Sequence, residues 1–271
     1  MHALAVHPFV QAILIPFLVA LLVAELLQRL RLSGLAIIAG FALTIFLMNG
    51  FAHAPLTGTR KIIWIGIASG AAGIALNLVN WTIWRAILSM FAAASAVWVT
   101  LPWLLQHGLP TALQWGAGAA LFTAWMTYWM DTTEGMPVRA ASAGMALGLG
   151  CGLALYLGNA HVLGKMNLAL GSAAFAILFL MSVSNSLLAM GRAATLPLAL
   201  VSSISVTLGI ISGKFPWYIA APLALIPPLS RIPLAERSAV WVQATAHGIL
   251  TLVCAAVTVY LSWSMHGRPV W

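Results

Sequence analysis

"KFPWYIAAPLALIPPLSR", Lys214 to Arg231, is apolar enough to enter a bilayer, yet only sixteen residues separate its two charges and four of them are proline. Whether it crosses decides the helix count, the side on which the following helix begins, and which polar residues share a face. As a helix, residues 215–229 reach about 22 Å at 1.5 Å per residue, short of the roughly 30 Å of hydrocarbon in a typical bilayer. Snorkelling by Lys214 and Arg231, with local thinning, narrows that gap. Pro216 falls in the first turn, where a missing N–H costs little, and Pro227-Pro228 in the last. Pro222 is therefore expected to break the middle.

The surrounding chain makes a membrane setting the natural one. Of 271 residues, 62% are hydrophobic and 6% charged, against roughly 25% charged in a soluble domain. Backbone polar groups find no partners in lipid, so these runs must be helices, and they lack the alternation of barrel strands. The expected fold is all-α: a polytopic integral membrane helical bundle of about ten transmembrane helices, nine if residues 215–229 do not span. The spans are 9–30, 35–52, 62–79, 86–106, 112–130, 140–157, 168–190, 195–212, 215–229 and 239–264. The connections leave no room for a soluble domain, so residues 1–271 read as a single transmembrane domain.

Lysine and arginine give an independent vote. With ten spans and the N-terminus outside, the inner connections hold Arg29, Arg31, Arg85, Arg139, Arg192, Arg231 and Arg237. The outer ones hold Arg60, Lys61, Lys165, Lys214 and Arg268. Removing the ninth span equalises the two sides, so the positive-inside bias favours ten. The first basic residues follow the first apolar run, which is expected to be an uncleaved helix with its C-terminal end in the cytoplasm of a bacterial inner (plasma) membrane. The net charge of +8 is spread singly and in pairs, as topology signals are, so no nucleic-acid partner is implied.

The same topology sorts the sparse polar residues. His2, His7, His53, His107, His161 and His266 fall on the outer side, and Glu25, Asp131, Glu134 and Glu236 on the inner. No HxH, HxxxH or HExxH spacing accompanies the histidines, so no metal site is read. Glu25 is expected to pair with Arg29 one turn on. In "WMDTTEGMPVR", Asp131, Glu134 and Arg139 sit beside two tryptophans at headgroup level, as a solvated loop that could serve as a rim or gate. His247 lies nearer the midplane, with Gln243 and Thr251 one turn to either side and Cys254 close to the same stripe. Ser182 and Asn185, then Ser202, Ser205 and Gly209, and Gly66, Ser69, Gly70, Gly73, Asn77 and Asn80 form further polar or small-residue seams.

Two functional readings follow. In the first, the protein is a permease or carrier for a small-molecule solute, with His247, Gln243, Thr251, Asn185, Ser182, Ser205 and Asn77 lining a polar midplane path. In the second, it is a non-catalytic subunit or assembly factor whose apolar surface docks other membrane proteins. No enzyme is read: "GIASGAAG" around Ser69 has its glycine one residue too early for a rhomboid-type serine motif, and no HxxxxHxxxN lies nearby. No cofactor is read either, since one midplane histidine cannot supply two haem ligands.

Overall fold

A computed structural model describes residues 8–48, 56–77, 83–234 and 237–266, and all regular structure among them is helical. His2, His7, His53, Asn80, Glu236 and Arg268 lie outside the described residues, as does the side chain of His266. The helices are α1 (Val10–Leu30), α2 (Leu35–Leu47), α3 (Gly58–Asn77), α4 (Ile83–Leu104), α5 (Leu109–Asp131), α6 (Pro137–Leu157), α7 (His161–Ser184), α8 (Gly191–Ile211), α9 (Trp217–Leu229) and α10 (Val240–His266).

Each segment drawn as a span contains a helix, but six of them, α1, α4, α6, α7, α8 and α10, are both long and apolar enough to cross a membrane. The helices α2 and α9 are short, and α3 and α5 are diluted by glycine and polar residues. The count of ten spans therefore exceeds what length and apolarity support. In α9, Pro216 precedes the helix in an extended conformation, and a 3-10 turn, Trp217–Ile219, leads into the α-helical part. That shift puts Pro222 in the first α-helical turn, where no break is needed, and the α-helix runs unbroken from Ala220 to Leu229.

Packing sorts the helices into an inner and an outer set. In α8, 94% of the apolar window is buried, against 22% in α1, whose leucines 14, 18, 22, 26 and 30 all face outward. Lipid is as apolar as leucine, so what holds the inner helices together is close backbone contact at small residues. The helices α6 and α7 cross where Gly148 lies on Gly171, and a side chain at either would overlap the other backbone. The helices α3 and α8 run antiparallel in the same manner. A Cβ on Gly66 would lie 2.8 Å from the Val201 side chain, and one on Gly73 would lie 2.6 Å from the Arg192 backbone.

The chain thereby presents two ends. One gathers the helix ends and connections that carry Arg31, Arg85, Asp131, Glu134, Arg139, Arg192 and Arg231; the other gathers the start of α3, the end of α4, the α6–α7 connection and the end of α8. We call them the acid end and the histidine end.

Candidate functional site

At the acid end, α5 terminates in Asp131, whose carboxylate is wholly buried. Its Oδ1 accepts a hydrogen bond from Arg192 Nε at 2.8 Å, and its Oδ2 accepts from Arg85 Nε at 3.2 Å. Glu134, one turn on, accepts from Arg192 Nη2 at 3.2 Å and stands 3.8 Å from Arg85 Nη2. Two acids and two arginines from α4, α5, the α5–α6 connection and α8 thus neutralise one another. Arg192 also donates through Nη1 to the Leu76 carbonyl at 3.1 Å, which ties in α3.

Asn77 completes this junction. Its Oδ1 accepts the backbone N–H of Arg192 at 2.9 Å, so the last residue of α3 caps the first turn of α8, which has no cap from its own side chains. Gly191 stands at φ +58°, and a Cβ there would meet the Asn77 amide at 2.7 Å, so both conformation and space call for glycine. In front of the junction lies a recess of about 400 Å³ lined by Arg31, Asn77, Glu134, Gly135, Gly191 and Arg192, among others. Burial, reinforced by the charge of Asp131, raises the Glu134 carboxyl above its ordinary range, and Arg192 and Arg85 offset only part of that rise.

These positions correct the sequence reading of the α5–α6 segment. Asp131 and Arg139 are not in a solvated loop. Asp131 closes α5 in the ion cluster, while Arg139 lies within α6, nearly buried, donating to the Arg231 carbonyl at 3.0 Å and to Met136 Sδ. In the sequence Arg85 and Arg192 stand out only as topology signals. The signal that points to them is scarcity: two carboxylates near the membrane need cations, and these arginines fall on the same side. Glu25 accepts from Gln28 Nε2 at 2.6 Å.

The remaining candidate residues are dispersed. His247 is buried, and Thr251 donates to the His247 carbonyl at 2.8 Å and to the Ser142 carbonyl of α6 at 3.3 Å. Gln243 folds back to the Ser238 carbonyl at 2.9 Å. Asn185 is not on a helical seam, because α7 ends at Ser184; it adopts a left-handed turn, and its Oδ1 accepts the Val240 N–H at the start of α10. Ser182 bonds its own helix at Leu178. Ser205, like Thr195 of α8 and Thr123 of α5, is fully buried, and the hydroxyls of all three find no hydrogen-bond partner among the described residues. Asn77, Asp131 and Glu134 thus share one site, whereas His247, Gln243 and Thr251 lie on α10, where Thr251 bonds α6.

At the histidine end, a second recess of about 350 Å³ is lined by Thr59, Trp103, His161, Ser212 and Lys214, among others. His107 lies nearby on the sequence side of this end, its Nδ1 2.9 Å from the Trp103 carbonyl, and the His161 ring stands edge-on to Tyr156. Among the described residues, no three His, Cys, Asp or Glu side chains come together as a metal-binding group.

The fold and its burial pattern define a helical, multi-pass membrane protein. The chain matches no protein-family model and no curated protein sequence.

Proposed function

We propose that the protein is a carrier for a small polar solute, and that its path follows the contact between α3 and α8. The observation that carries this reading is the placement of the two recesses. Gly58 and Thr59 begin α3 and border the recess at the histidine end, while Asn77 ends α3 and borders the one at the acid end. The corresponding ends of α8 are Ser212 and Arg192. One antiparallel helix pair therefore joins two polar mouths.

The lining of the pair suits movement. Gly66, Gly70 and Gly73 keep α3 smooth, and Pro197 removes a backbone hydrogen bond from α8 opposite Gly70. An unsatisfied buried hydroxyl costs about 1–3 kcal/mol, a cost that water entering along α8 would relieve at Thr195 and Ser205. In this reading all ten helices cross, α2 and α9 as short spans. The acid end, with seven basic residues against five, faces the cytoplasm and places the N-terminus outside, in a bacterial inner membrane.

The test uses a chain with Cys151→Ala and Cys254→Ala and one new thiol, Ser69→Cys, in the buried stretch of α3. A membrane-impermeant maleimide should label it from the outside in cells and from the inside in inverted vesicles. Protection from both sides would end the carrier reading. A second reading, a membrane subunit, draws on the tight α10–α6 contact around His247, and a chain that is monodisperse only in the presence of a co-purifying membrane protein would favour it.

A further inference from the structure

We propose that the recess at the histidine end binds an oxyanion, a carboxylate or phosphate group, through Lys214 and His161. Its side chains supply one cation, an imidazole and two hydroxyls, from Lys214, His161, Thr59 and Ser212, and no carboxylate lines it. Among the described residues the Lys214 ammonium has no hydrogen-bond or ion-pair partner, and the His161 ring stands edge-on to Tyr156. The wider charge distribution points the same way. Every described carboxylate, Glu25, Asp131 and Glu134, lies toward the acid end, whereas Lys61, Lys165 and Lys214 share the histidine end. Among the described residues no carboxylate thus offers this recess a counter-ion.

The recess also borders the start of α7, from Ala160 to Leu163, where Ala160 provides no side-chain cap. The first amides of a long helix have no partner within it and carry partial positive charge, so they add to the field set by Lys214. At about 350 Å³ the recess holds a phosphate or carboxylate group with part of the molecule that carries it. Thr59 can orient the group through its hydroxyl, whereas that of Ser212 donates to the Gly209 carbonyl at 3.2 Å. This binding goes beyond the carrier reading and holds whether or not the protein transports.

Binding is measured on the full chain in uncharged detergent, with sodium phosphate against sodium chloride at equal ionic strength, by calorimetry and by the thermal midpoint. A second arm adds phosphatidylglycerol or phosphatidylcholine to the micelles. We expect saturable binding that weakens on the order of ten-fold in Lys214→Gln and again in His161→Gln, the loss of one charge-assisted hydrogen bond each. Arg237→Gln, which removes the same charge at the acid end, should leave it unchanged. A response to phosphate without lipid identifies a soluble anion; a response to phosphatidylglycerol alone identifies a headgroup; either supports the site. Absence of both, or binding that survives in a Lys214→Gln/His161→Gln protein with the wild-type melting profile in chloride, overturns it.

Discussion

The two ends of the α3–α8 pair use their charges in opposite ways. At the acid end, Arg85 and Arg192 are matched by Asp131 and Glu134, and the set is closed by hydrogen bonds to Asn77 and Leu76. At the histidine end, basic side chains face a recess without a carboxylate. Lys61 illustrates how such a residue is accommodated there, with its ammonium 3.0 Å from the Trp98 carbonyl and 4.6 Å from the Trp98 ring. Charge that is internally matched holds helices in place; charge left unmatched is available to something else.

The sharpest way to break the comparison is to remove one partner of the buried cluster. Arg192→Ala leaves Asp131 buried beside the half-exposed Arg85 and strips Glu134 of its nearer cation. The expected loss is about 3–5 kcal/mol, read by denaturant unfolding in detergent. A loss below about 1 kcal/mol would mean that the cluster is not what fastens this end.

Next in size is the cap. Asn77→Ala removes the acceptor at the first turn of α8 and should cost about 1 kcal/mol, with Asn77→Asp retaining most of the stability. Equal losses in the two variants would show that packing against Gly191, rather than the hydrogen bond, is what Asn77 provides.

Glu134 gives a pH dependence whose sign is fixed. The folded protein holds its proton more tightly than the unfolded chain, so this contribution to stability is complete below the ordinary value of 4.5 and is lost as pH rises through the raised folded value. Glu134→Gln should flatten the fall in thermal midpoint over that window. An unchanged slope would assign the pH dependence to another group.

The smallest effect is expected at the opposite end. Lys214→Gln should alter stability by less than about 0.5 kcal/mol in chloride, because the side chain is exposed and unmatched. A cost comparable to that of Arg192→Ala would erase the contrast between the two ends.

The positions of the helices were legible in the sequence because apolar runs must become helices in lipid, and even the doubtful α9 forms one. Boundaries were less legible. Asn185 ends α7 by adopting a left-handed turn, a local choice that the apolar run through Met190 conceals. The side of each charge could be read from topology, but the pairing of Asp131 with Arg192 depends on how α5 meets α8. That contact is set by packing between helices distant in the chain. His247 stands out by depth and by its stripe with Gln243 and Thr251, and neither says whether a residue meets a cavity or a neighbouring helix.

The short link between α1 and α2 bears on how the chain is made. Gly34 donates its N–H to the Ala189 carbonyl at 3.1 Å, and its α-carbon lies against Met190 so closely that a side chain would overlap the backbone. The helices α1 and α2 also pack on α7. A ribosome adding roughly 5–20 residues per second exposes the docking segment on the order of ten seconds after the first hairpin. Until then the hairpin must wait in the bilayer without its permanent neighbours, so it is secured well after it has been synthesised.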